Sequence, residues 1–170
     1  MFAKSFIFLL ALTSFVDVDT QSASAREIPT VAYCDLLSKP DAYDGKRIKI
    51  RAEYNSGFEH SVFSDSACVK AWDTRRLLWV EFDESVNTNT KPKILKKFRK
   101  ARFHQAVNDK GELDIEKWQK EQWLNWYVQL TVIGEFRVSK DSNFGFGHTN
   151  AYPFKLVVSK IEDVGALKKQ

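Results

Sequence analysis

His60, His104 and His148 are the only histidines in the chain, so any proton transfer or metal binding that needs an imidazole must use them. No H-x-H or H-x-x-x-H pair occurs, which removes the spacing that puts two imidazoles on one ion from a single strand or helix. Long-range convergence is left. Glu59-His60 and His148 would form a small acid–base or metal site, and the chain a hydrolase, if the two loops carrying them met at one end of the fold. Neighbouring residues on a strand point to opposite faces, so Glu59 and His60 serve one site only if the backbone turns there. The other carboxylates are scattered and select no catalytic pair, and no G-x-S-x-G or S-x-x-K setting activates a serine.

A second chemistry is non-covalent. Residues 143–154 read N-F-G-F-G-H-T-N-A-Y-P-F. The string lacks the strand-to-helix setting of a phosphate-gripping glycine loop, and its glycines serve first to let the chain reverse. Phe144, Phe146 and His148 then sit on the rim of a loop. Phe58, Glu59 and His60 occupy another loop, and Trp79, close to Arg75 and Arg76, has the aromatic-beside-cation character of a stacking platform. These seven residues, Phe58, Glu59, His60, Trp79, Phe144, Phe146 and His148, form the candidate binding set. No cofactor is implied. The stretch 93–102 places Lys93, Lys96, Lys97, Arg99, Lys100 and Arg102 outside while Ile94, Leu95 and Phe98 dock inward. It reads either as a solvated helix face, neutralised by Asp109, Glu112, Asp114 and Glu116, or as an electrostatic footprint for phosphate, an anionic glycan or a membrane.

These groups need a compartment and a scaffold. Lys4, the apolar run 6–16 and the closing Ala23-Ser24-Ala25 have the layout of a secretory signal peptide over residues 1–25. The apolar run is too short to span a bilayer, and no later segment is apolar enough, so the expected product is exported to a periplasmic or secreted location. Its mature part, 26–170, would hold 145 residues in a single domain, with 25 basic and 20 acidic side chains once Lys4, Asp17 and Asp19 are removed. A net +5 requires no nucleic-acid partner. Cys34 and Cys68 both fall in this part and lack the C-x-x-C spacing of a redox or metal pair, so a structural disulfide is expected in an oxidising compartment.

Residues 46–54 alternate, with Ile48, Ile50, Ala52 and Tyr54 on one side and Arg47, Lys49, Arg51 and Glu53 on the other, the period of a strand with one buried face. A short helix precedes it at 34–38, stopped by Pro40. A loop or short strand follows at 55–72, then a second alternating strand at 77–82. A helical insertion is expected over 91–123, in two pieces at 93–106 and 114–123, with Thr90 as N-cap. The long strand 126–139 carries Val128, Leu130, Val132, Gly134, Phe136 and Val138 on one face, with Gly134 marking a bulge. A final strand runs over 152–161. Helical residues between the third and fourth of five strands are the arrangement of a partly open, antiparallel OB-type barrel, in an α+β chain that is mostly β.

The string C-D-L-L-S-K-P-D-A-Y-D-G-K-R-I-K-I-R-A-E-Y, the later G-F-E-H-S and the closing G-F-G-H-T-N-A-Y-P-F-K-L-V-V-S-K-I-E-D-V resemble a group of small exported bacterial proteins. These are similar to OB domains of the tRNA-anticodon-binding type. The resemblance implies the barrel and no particular activity. Two functions stand from the sequence: a non-catalytic exported binding module for a small molecule, peptide, glycan or protein, nucleic acid being an unusual target outside the cell, and a metal-dependent or acid–base hydrolase centred on Glu59, His60 and His148.

Overall fold

The alternation of residues 46–54 becomes β2, Arg47–Ser56, whose Ile48, Ile50, Ala52 and Tyr54 are all buried. The computed structural model describes residues 27–57, 60–69, 73–102, 126–141 and 145–169. The expected leader 1–25, the expected second helical piece 114–123 and the candidate residues Phe58, Glu59 and Phe144 lie outside them, as does His104.

The elements run β1 (Thr30–Val31), α1 (Tyr33–Ser38), β2, β3 (Ser61–Ser64), β4 (Leu78–Phe82), α2 (Val86–Asn89), α3 (Pro92–Arg102), β5 (Trp126–Val138) and β6 (Phe154–Lys169). The sheet order is β1-β2-β3-β4-β6-β5, and β2 also pairs with β5. Strands β2 to β6 therefore close a five-stranded ring, with β1 added along β2 as a short parallel strand. The helices fall between the third and fourth ring strands, as in an OB barrel. One pair departs from the expected antiparallel pattern. Because β6 lies between β4 and β5 and pairs antiparallel with β5, it meets β4 in parallel, Leu78 opposite Phe154 through Phe82 opposite Val158, and the ring is mixed.

β6 extends eight residues beyond the expected end at Ile161, because the first half of β5 supplies a partner as far as Trp126 opposite Lys169. Three register shifts bend this pair, one of them between Ile133 and Gly134. The inward residues of β2, β5 and β6 make one core with Phe63, Leu78 and Val80. α3 plugs it: Phe98 is buried, with ring centroids 5.0 Å from Phe82 and 5.9 Å from Tyr54. The expected N-cap, Thr90, works elsewhere. It is buried just before α3, and its hydroxyl accepts a hydrogen bond from the Ile161 amide of β6 at 3.0 Å.

The ring is thinnest between β3 and β4, which pair at Val62–Trp79 and Phe63–Leu78. α1 braces this seam. Cys34 is bonded to Cys68, in the connection from β3 to β4, and the buried Tyr33 hydroxyl lies 2.7 Å from the Phe63 carbonyl and 3.0 Å from that of Arg76. Burial pushes the pKa of that phenol well above its ordinary value and keeps it neutral. Among the described residues no helix is long and apolar enough to cross a membrane.

Candidate functional site

The loop between β5 and β6 holds the candidate rim residues. It reverses through an isolated bridge in which the Phe146 amide donates to the Tyr152 carbonyl at 2.7 Å, with Gly147 at φ 81° and Asn150 at φ 53°. The loop folds back onto the outer face of the ring, and the reason lies in β4. Leu78 and Val80 point into the main core, while Leu77 and Trp79 join Val62 and Tyr152 in a second, outer cluster against which Phe146, Ala151 and Val69 pack. Both faces of β4 are thus covered over Leu78–Val80, one by the barrel interior and one by the loop, while Glu81 beyond them is exposed.

This packing decides what each candidate can do. Trp79 is 8 % exposed, its ring 5.2 Å from that of Tyr152, so the loop occupies the stacking face that the sequence assigns to it. His148 is exposed and stands edge-on to Trp79 at 6.0 Å. His60 is half-buried and is hydrogen-bonded through Nε2 to Asn55 Oδ1 of β2, and burial lowers its pKa. Each described imidazole is therefore held by a different partner: an aromatic edge for His148, a side-chain amide for His60. Among the described residues no group of three His, Cys, Asp or Glu side chains is placed to hold a metal ion.

Phe146 faces a different surface. Beside it opens a cleft of about 530 Å³ lined by Asp44, Glu135, Arg137, Val138, Lys140, Phe146, Lys155 and Val157. Glu135 and Arg137 on β5 pair with Val157 and Lys155 on β6, so the outward residues of two adjacent strands make its floor, and the turn at Asp44 and the β5–β6 loop make its walls. The Lys155 ammonium lies 4.9 Å from the centre of the Phe146 ring and 3.1 Å from Glu81. Arg137 is paired with Glu135, and Lys140 with Asp44. The Lys140 hydrogen bond, aided by the Val138 amide, holds the Asp44 carboxyl below its usual range. Every cation of the cleft has a carboxylate, and an aromatic face and two valines stand among them.

Of the candidate binding residues, the structure brings Phe146, Trp79 and His148 together around one loop and leaves His60 on the β2–β3 side. Asp44, Glu135, Arg137, Lys140 and Lys155 were not singled out from the sequence. Strand alternation marks Glu135, Arg137 and Lys155 as outward, but the register that gathers them is a long-range property. For Trp79 a signal existed: the run Leu77-Leu78-Trp79-Val80 is continuously apolar, the pattern of a strand buried on both faces.

No family model and no curated protein matches the chain. Among solved structures, a chain assigned as an aspartyl-tRNA synthetase from Leishmania major Friedlin aligns with 88 % of this chain at 12 % identity and a TM-score of 0.40. The aligned part is 23 % of that protein's length. The OB-like architecture accordingly rests on this chain's own strand order: a five-stranded mixed ring with a short helix before it and helices between its third and fourth strands.

Proposed function

We propose that this protein is an exported, non-catalytic binding module whose ligand site is the cleft beside Phe146. One observation carries the reading: an aromatic ring stands at a concave surface whose charges are of both signs and already paired. A volume of about 530 Å³ lies in the range of small-ligand sites, which combine apolar surface with a few placed polar groups. Because each cation is neutralised locally, a free anion gains little there. A neutral, polar ligand that stacks on a ring and exchanges hydrogen bonds with paired charges gains more, as a sugar or a stretch of peptide does. The leader-like residues 1–25 and the Cys34–Cys68 disulfide support an oxidising destination.

The test is amide chemical-shift mapping of the protein against panels of oligosaccharides and short peptides. Shifts should gather on Glu135, Arg137, Val138, Phe146 and Val157 and vanish in Phe146→Ala and in the more exposed Arg137→Ala. Shifts centred on residues 58–60 with turnover of the added compound would sink the reading in favour of the hydrolase.

A further inference from the structure

The strongest surface outside the cleft is the outer side of α3. Residues 91–102 hold seven cations and no carboxylate. At about 100° per residue, Lys93, Lys96, Lys97 and Lys100 share an arc of about 100° and a length of about 10 Å. All four are exposed. Their spacings of three and four residues set like charges side by side, which disfavours the helix. Lys97 donates to the Val164 carbonyl of β6, Arg99 to Asn87, and Arg102 lies over the Phe82 ring. Lys93, Lys96 and Lys100 have no carboxylate partner among the described residues. The opposite side of the helix is fixed in the core by Phe98, so the stripe is presented on a rigid support.

We propose that this lysine stripe is an electrostatic docking surface for an anionic lipid bilayer. Three observations favour a planar polyanion. The stripe is the convex outer side of a helix, whereas proteins that follow a nucleic-acid strand do so along a groove. A cleft beside the helix, lined by Phe82, Leu95, Phe98, Arg99 and Arg102 among others, has none of the four lysines in its lining. The free cations are lysines, compact and hydrated charges without the planar fork that selects one phosphate or carboxylate. The apolar side of α3 is committed to the core, so attachment is by charge alone, reversible and sensitive to salt.

The experiment is co-sedimentation of the purified protein with vesicles of equal parts phosphatidylglycerol and phosphatidylcholine, at low and at high salt, beside pure phosphatidylcholine. Binding to the anionic vesicles alone, lost at high salt, is expected. The triple variant K93Q/K96Q/K100Q should bind about a hundredfold more weakly, at about fivefold per lysine. The control K39Q/K46Q/K168Q removes equal charge from other exposed positions and should fall far less. Circular dichroism of both variants checks the fold. Three results overturn the proposal: no vesicle binding by the unaltered protein; an equal loss in the control; or binding to heparin or single-stranded DNA with none to vesicles.

Discussion

Gly147→Ala probes whether the β5–β6 loop is seated on Trp79. The backbone at Gly147 has φ 81°, a left-handed conformation that disfavours a side chain by about 1–2 kcal/mol. An added methyl would also lie 2.8 Å from Trp79 Cε3 and 2.9 Å from Tyr152 Cδ2, and overfilling a packed site costs about 1–3 kcal/mol. The sum is about 3 kcal/mol. Lifting the loop instead would expose much of Trp79 and Tyr152, at about 3–5 kcal/mol for the two, so strain and release are nearly balanced. At about 2–4 °C per kcal/mol for a chain of this size, the melting temperature should fall by about 6–12 °C. Hydrogen exchange at the Phe146 and Tyr152 amides should quicken, because these two donate across the bridge that closes the loop. Gly45→Ala is the internal control: its φ is 72° but a methyl there meets nothing within 4 Å. It should show the conformational part alone, about 1–2 kcal/mol. If Gly147→Ala melts with the unaltered protein and leaves both amides protected, the loop does not pack on Trp79 and the description of the outer cluster fails.

Removing the disulfide as Cys34→Ala/Cys68→Ala should lower the unfolding free energy by about 4 kcal/mol on the loop-entropy model for a separation of 34 residues; a loss below about 1 kcal/mol in urea titration would mean that Cys34–Cys68 does not brace the β3–β4 seam. Thr90→Val leaves the buried Ile161 amide without its acceptor and should cost about 1–3 kcal/mol by denaturant unfolding, with Thr90→Ser recovering most of it. In acid, Asp44, Asp73 and Asp83 each have a folded pKa below the ordinary 3.8, chiefly through hydrogen bonds from Lys140, Arg75 and Ser85. Their stabilisation is full above that value and is lost as pH falls through the lower folded pKa values, so Asp44→Asn should flatten part of the acid limb of the melting curve. Burial likewise lowers the folded pKa of His60 from 6.5. Stability from this group is complete above 6.5 and declines as pH falls below it, and an NMR titration placing the His60 midpoint at or above 6.5 would contradict the burial.

The sequence was most legible where one strand decides its own fate. Residues 46–54 alternate because one face of β2 is core and the other is solvent, and the structure keeps that assignment residue by residue. The helix 34–38, the start of β5 and the Cys34–Cys68 pair follow from equally local rules of stop signals, periodicity and cysteine number. What depends on a partner was not legible. Residues 162–169, E-D-V-G-A-L-K-K, have no clean period of two, since the bulges against β5 put buried Val164 and half-buried Leu167 three apart. The parallel β4–β6 pair joins strands separated by the whole helical insertion. Around the site, Phe146 was found by its type and its loop, but Lys155 and Glu81 meet beside it only because β4 and β6 are neighbours.

The position of β6 between β4 and β5 has a consequence for the order of events in folding. β2, β3 and β4 are made early, yet β4 has β3 on one side and an open edge on the other until residues 154–158 arrive. A chain that emerges N-terminus first, from a ribosome or a translocation pore, therefore carries an unclosed sheet with the apolar strand Leu78–Phe82 along its free margin until about seventy more residues have emerged. Closure is a late, long-range event, of the kind that makes folding slow. A chaperone that shields this margin should raise the yield of native protein more than one that acts after release.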